Sequence, residues 1–329
     1  MTVLPELQAL KKSVMTSIIG QEDIVDHLII SLLCNGNLLI EGLPGLAKTR
    51  AIKSLASCID CDFNRIQFAP DLSSRDITGE EILYIHEDGT RSYKFQKGPI
   101  FSNLVLADEI NRAPPKAQSC LLEAMEERQV TVAAVAHKLP KLFMVMATMN
   151  PAKQEGTNPL AEAQLDRFMM HAYVDYPDEE SEVEVLRLVR NEERTVTDAK
   201  PKAKKPKEKK IDQSVVFQAR SEIDAITISP VMERYIVDLV FATRYPERYS
   251  YQLKSCIREG VSPRGSLALD RAVRAHAWFT GKSEVDEKDV SAMIYSCLRH
   301  RIPITEDAQK DNVTAEGVIE EILKEVKIG

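Results

Sequence analysis

Residues Gly42 to Thr49, GLPGLAKT, carry the types and spacing needed to bind phosphate. They fit G-x-x-x-x-G-K-[ST] at Gly42, Lys48 and Thr49, and depart from it at Ala47, where the pattern has its second glycine. Gly45 still lets the backbone approach an anion closely. In such a turn, Leu43, Pro44, Gly45, Leu46 and Ala47 wrap the anion, because N–H groups at a helix start lack intrahelical partners and the helix dipole favours negative charge. Lys48 would reach the β- and γ-phosphates, Thr49 would ligand Mg²⁺ through its hydroxyl, and Arg50 continues the contact stretch. The competing reading is an ordinary Gly/Pro loop between a strand and a helix.

A second stretch, NLVLADEI, ends an apolar run at Asp108 and Glu109. Buried parallel strands read as such runs, and ligands in open α/β sheets bind beyond the carboxyl ends of the strands. Asp108 would therefore hold Mg²⁺ and Glu109 would polarise the attacking water; the alternative is a strand followed by an acidic helix cap. Asn150 closes another apolar run, Leu142 to Met149, just before Pro151. It can hydrogen-bond water or the γ-phosphate, or simply form an Asn-Pro turn.

Two arginines complete the set. Arg167, in LDRF, suits the stabilisation of a transferring phosphate, in its own chain or a neighbouring one, against the alternative of a surface pair with Asp166. Arg264 follows Ser262 and Pro263, an N-cap and a first helical residue. A cation there opposes the helix dipole and calls for compensation, which a nucleotide phosphate would supply. Ile19 and Gly20 lie in a short apolar bend where an adenine could pack, or which could serve only as a hydrophobic staple.

These residues need elements to position them. Leu4 to Leu33 reads as helical around that bend, with Leu7, Leu10 and Val14 on one face and Ile24, Leu28 and Ile29 on another. Leu38 to Ile40 is the strand before the phosphate loop, and Thr49 to Cys58 the helix after it. Ile66 to Phe68 is a short strand, and Asp71 to Gly79 a polar turn. Glu80 to Phe95 reads as a hairpin turning at Glu87-Asp88-Gly89, and Gln129 to Leu139 as a second one. Pro114 to Arg128 is an amphipathic helix, and Asp178 to Arg194 a helix with Val183, Leu186 and Val189 on one side. Lys200 to Lys210, with seven lysines, lacks the apolar residues to fold and reads as a linker or loop. Ser214 to Gly329 is helical.

With 329 residues, 44% of them hydrophobic, the chain can bury a sizeable core and form two domains. A net charge of −7 gives no overall attraction to nucleic acid, leaving a local basic patch as the only route to it. No stretch reads as a signal peptide or a membrane span, and six scattered cysteines suit a reducing compartment, so the expected address is cytoplasmic. Cys58 and Cys61 form a C-x-x-C with no second Cys/His pair at metal-ligand spacing, and are expected to be structural thiols.

From about Ile19 to Ile302, apart from the lysine-rich insert, the chain resembles the MoxR family of AAA+ ATPases. The likeness rests on GLPGLAKT, LADEINRAPPK (106–116), LLEAMEERQVT (121–131), ATMNP (147–151), EAQLDRF (162–168) and GVSPR (260–264). Ala47 matches this family's own form of the loop. The resemblance implies an α/β P-loop core with a parallel sheet (1–195), a lysine-rich connection (196–213) and a smaller all-α lid (214–329), with ATP bound between core and lid. It implies Walker A at Lys48 and Thr49, Walker B at Asp108 and Glu109, sensor 1 at Asn150, an arginine finger at Arg167 and sensor 2 at Arg264. It also implies a homo-oligomeric ring, commonly a hexamer, working as a chaperone-like machine with a von Willebrand factor A domain protein on a client. ATP-driven closure is expected to swing the lid and move the two hairpins along the ring's working surface. The alternatives are a nucleic-acid motor, since related AAA+ proteins with inserted hairpins move DNA, and a nucleotide-gated scaffold with weak turnover.

Overall fold

The computed structural model describes residues 2–42, 48–88, 90–151, 156–197 and 210–329. It opens with helices α1 (Leu4–Met15) and α2 (Glu22–Leu33), then strand β1 (Leu38–Gly42) and helix α3 (Lys48–Cys58). β2 (Phe63–Gln67) and the short α4 (Ser74–Thr78) lead to a hairpin of β3 (Gly79–Ile85) and β4 (Arg91–Lys97). Next come β5 (Leu104–Asp108), α5 (Pro115–Glu127), a hairpin of β6 (Gln129–Val132) and β7 (Val135–Lys138), and β8 (Met144–Met149). α6 (Glu162–Leu165), β9 (Met170–Val174) and α7 (Glu179–Thr197) follow. The rest is helical: α8 (Gln213–Asp224), α9 (Pro230–Arg244), α10 (Tyr251–Cys256), α11 (Pro263–Phe279), α12 (Glu287–Leu298), α13 (Glu306–Lys310) and α14 (Ala315–Glu325).

Five strands make one parallel sheet in the order β2-β5-β8-β1-β9. Such a sheet needs apolar cover on both faces, and the period-two alternation of its strands provides it. Leu38, Ile40, Leu104, Leu106, Met144 and Met146 enter one apolar cluster, whereas Leu39, Val105, Ala107, Val145 and Ala147 enter another. The first cluster runs on through α1, α2 and α3 into the C-terminal helices; the second packs against α4 and α5. With β1, β5 and β8 adjacent and parallel, Gly42, Asp108 and Met149 come to the same edge of the sheet. The order of β5, β8 and β1 therefore gathers the candidate residues.

The helical part is bonded to the sheet part near the chain's start. Glu222 accepts Thr2 Oγ1 at 2.5 Å and the Val3 N–H at 3.1 Å, and Gln8 Nε2 donates to the Phe279 carbonyl at 3.3 Å. Ile211, just past the lysine-rich segment, bridges Ile59 in parallel, with N–H to the Cys58 carbonyl at 2.9 Å.

Asp71 to Gly79, expected as a turn, holds the helix α4. Asp76 caps it by accepting the Ser73 N–H at 2.8 Å and Ser73 Oγ at 2.7 Å, and Ile77 is buried beneath. The polar residues of the stretch are caps, and one apolar side chain anchors it. Val183, Leu186 and Val189 do share one side of α7, and that side is exposed. Several expectations fall outside the described residues: the loop 43–47, Gly89 of the hairpin turn, and 198–209 of the lysine-rich segment.

Candidate active site

Lys48 opens α3 and is buried, its Nζ donating to the Gly42 carbonyl at 2.6 Å. Burial lowers its pKa, while Asp108, Glu109 and Glu41 oppose that shift through their negative charge. A cation thus stands at a helix start, facing two acids from the next-but-one strand. Gly42 has no room for a side chain: a Cβ there would meet the Val174 carbonyl oxygen at 2.5 Å. Thr49 and Arg50, both half-buried, form the first turn of α3 with Lys48.

One buried hydroxyl positions both acids. Thr148 Oγ1 donates to Asp108 Oδ1 at 2.6 Å and accepts the Glu109 N–H at 2.8 Å. Asp108 Oδ2 receives Arg65 from β2, through Nε at 2.9 Å and Nη2 at 2.6 Å. Glu109 Oε2 accepts Gln67 Nε2 at 2.9 Å and lies 3.3 Å from Arg112 Nη1. Asn150 is tied through its backbone to Asn111, whose Nδ2 donates to the Asn150 carbonyl at 2.8 Å and whose Oδ1 accepts the Asn150 N–H at 3.2 Å. The buried Asn150 Nδ2 has no hydrogen-bond partner among the described residues. An unpaired buried donor costs about 1–3 kcal/mol, and an anion or a water at this point would remove that cost.

The group fits a nucleotide with its metal. It offers a buried cation, hard oxygen donors at Asp108 and Thr49, and a free donor at Asn150. Mg²⁺ commonly takes one or two carboxylates plus phosphate oxygens rather than an all-protein cage.

Arg167 and Arg264 belong to a different group. Glu126, near the end of α5, lies 3.1 Å from Arg167 Nε and also pairs with Arg264 Nη2. Arg264 Nη1 is 3.5 Å from Asp166 Oδ2. Ser262 caps α11 as expected, its Oγ accepting the Arg264 N–H at 3.1 Å and donating to Asp166 at 2.9 Å. Glu126 and Asp166 thus compensate the cation at this helix start. Asp166 does not pair with Arg167; it pairs with Arg264 and Arg301. A cavity of about 720 Å³ borders this arginine group, lined by Glu162, Asp166, Arg258, Ser262, His300 and Arg301.

Gly20 sits at φ +71°, and a Cβ there would come within 2.6 Å of Ser181, so the Ile19-Gly20 bend lies against the start of α7. Leu43, Pro44, Gly45, Leu46 and Ala47 lie outside the described residues. Burial pushes the Cys61 thiol up to about 11, and Cys58, three residues earlier, is half-buried. Among the described residues no cluster of three or more His, Cys, Asp or Glu could hold a metal.

Sequence reasoning passed over Arg65, Gln67, Asn111, Glu126, Thr148 and Arg301. Asn111, Glu126 and Thr148 stand inside LADEINRAPPK, LLEAMEERQVT and ATMNP, and Arg65 and Gln67 flank Ile66, where the short strand was read.

Comparison with known proteins gives three kinds of likeness. Residues 37–170 match the model of the ATPase family associated with various cellular activities (AAA), and residues 251–322 match the AAA lid domain. Chaperone MoxR1 of Mycobacterium tuberculosis is 39% identical over 313 residues, 94% of this chain and 79% of that protein. Protein MoxR of Paracoccus denitrificans is 30% identical over 302 residues, 87% of this chain and 85% of that protein. The crystal structure of a presumptive ATPase from Cytophaga hutchinsonii matches with a TM-score of 0.87 at 38% identity, covering 99% of this chain and 96% of that one.

Proposed function

We propose that this chain, which belongs to the MoxR family of AAA+ ATPases, couples Mg²⁺-dependent ATP hydrolysis to the remodelling or maturation of partner proteins. The observation that carries the hydrolytic reading is the meeting of Lys48, Asp108 and Glu109 near the end of β8, where Asn150 Nδ2 is buried without a partner among the described residues. Lys48 holds the β- and γ-phosphates, and residues 43–47 wrap them. Ile19 and Gly20 take the base. Thr49 and Asp108 hold Mg²⁺, which when bound offsets charge on the phosphate oxygens. Glu109 accepts a proton from the water whose oxygen bonds to the γ-phosphorus, ADP leaves, and Asn150 orients that water.

Arg167 and Arg264, side by side on Glu126, act together on the nucleotide of an adjoining copy. Sites of that kind are complete only in an oligomer, and a closed head-to-tail ring, a hexamer in this reading, completes all of them. The division into core (1–195), lysine-rich connection (196–213) and lid (214–329) follows the same reading. The hairpins, with Ile82, Leu83, Tyr84, Ile85 and Tyr93 exposed on the first, face the client. The family resemblance extends the proposal to a von Willebrand factor A domain partner. Among the described residues no helix is long and apolar enough to cross a membrane, and the reading places the machine in the cytoplasm.

The test is steady-state ATPase activity against protein concentration, with Glu109→Gln and Arg167→Ala alongside. Specific activity is expected to rise with concentration. It should fall by about 10²–10⁴-fold in Glu109→Gln and about 10³-fold or more in Arg167→Ala, and mixing the two variants should restore part of it. Concentration-independent activity that survives Arg167→Ala would remove the shared-site reading.

A further inference from the structure

Beneath the exposed pair Arg167 and Arg264 lies a third arginine. Arg301 ends a short 3-10 turn after α12, and only 3% of its side chain is exposed. Its Nε donates to Asp166 Oδ1 at 2.8 Å, and Nη2 donates to the carbonyls of Asp166 at 2.9 Å and Phe168 at 2.5 Å. Nη1 donates to the Met169 carbonyl at 3.2 Å and to the Cys297 carbonyl. All but the last of these bonds leave the helical part for the turn 166–169, which carries Arg167. A lysine could not make them, since the planar fork of a guanidinium sets several donors at once.

The surroundings are built around that fork. Beside it, His300 Nε2 donates to the Phe168 carbonyl at 3.1 Å. Asp166 also takes Ser262 and Arg264 from the start of α11. Gly265, in the first turn of α11, packs too closely for a side chain: a Cβ there would stand 2.2 Å from Val261 Cγ1 and 3.2 Å from Arg301 Cδ.

We propose that Arg301 is a positioning residue for the trans-acting arginines: it locks the turn bearing Arg167 to the helix start bearing Arg264, so that both cations meet an adjoining copy's nucleotide at a fixed spacing. This rests on the shared-site reading above. Arg301 touches no substrate in this role. Its loss therefore damages the site a subunit completes for its neighbour and leaves the Lys48–Glu109 site of its own chain intact.

Mixing experiments on the full chain separate these cases. Arg301→Lys is expected to bind a fluorescent ATP analogue within about twofold of the parent chain and to lose tenfold or more of its ATPase activity. Mixed one to one with Glu109→Gln, it should recover about a quarter of parent activity per subunit, the share of head-to-tail contacts that join an intact Glu109 to an intact arginine pair. Arg167→Ala mixed with Glu109→Gln is the control. If that control gains nothing, the shared-site reading fails. If the control gains and Arg301→Lys does not, or if Arg301→Lys alone keeps full activity, the positioning role is overturned. Should Arg301→Lys not bind nucleotide, Arg301→Gln, which keeps a planar amide donor in place of the fork, is expected to show the same recovery; loss of binding there too would reduce Arg301 to a strut.

Discussion

Glu109 leaves its strand in the left-handed region, at φ 58° and ψ 47°, a conformation that costs a non-glycine residue about 1–2 kcal/mol. Thr148 holds the strained N–H and the Asp108 carboxylate with one oxygen, so the two acids are placed as a unit. The acids themselves could be read from the sequence because they end an apolar run. Arg65 could not be assigned to them, because its contact depends on β2 lying beside β5 with Gln67 opposite Asp108. Arg65 holds Asp108 Oδ2 while Thr148 holds Oδ1, so a metal drawn to this carboxylate would compete with Arg65 for Oδ2. Arg65→Met is therefore expected to tighten Mn²⁺ binding to the nucleotide complex, measured by electron paramagnetic resonance. The lost hydrogen bond is worth about 0.5–1.5 kcal/mol, a factor of about 2 to 12 in Kd. Unchanged or weaker binding would mean that Arg65 supports Asp108 instead of competing with the metal.

Both hairpins were legible in the sequence, the first together with its turn at Glu87-Asp88, and the turn of the second was not. β6 and β7 join through Ala133 and Ala134, both left-handed at φ 48° and 63°, where Asn-Gly is the usual choice. Alanine announces no such turn. Nor does either hairpin's sequence reveal that the two lie together: Phe95 of β4 stacks on His137 of β7 with ring centroids 4.0 Å apart, and Phe101 sets its edge against both. Phe95→Ala removes that stack, worth about 0.5–1.5 kcal/mol, and leaves the sheet untouched. Limited proteolysis should then cut the first hairpin faster, with nucleotide binding retained. An unchanged cleavage rate would show that the hairpins are held independently. The helix α4 escaped notice for a related reason: its signal is a capping pair on five residues, too short for a periodic pattern.

Across the whole chain, strands β1, β2, β5 and β8 and the acids that end β5 were readable, since local runs determine them, whereas β9 was not read. The packing of helices α8 to α14 against α1, α2 and β9 was not, because it joins residues more than a hundred positions apart. That packing buries imidazoles. Burial, then Arg301 and His171, hold the His300 pKa well below the ordinary histidine value, and burial lowers that of His27. Above about pH 6.5 both rings are neutral whether the chain is folded or not. Below it the unfolded chain takes protons that the folded chain resists, so stability falls as pH drops. The urea midpoint is expected to be lower at pH 5.5 than at 7.5. His300→Gln, which keeps a donor for Phe168 and cannot titrate, should show a shallower fall, and an equal fall would place the effect elsewhere.

The ties of Glu222 to Thr2 and Val3, and of Arg301 to the turn 166–169, grip the helical part at two separate places. A swing of the lid within one chain must first break the second grip. Where a body is that stiff, its compliance resides in its joints, and in the proposed assembly deformation would accumulate at the contacts between copies. In a closed ring those joints are in series, so a displacement imposed at one of them loads all the others.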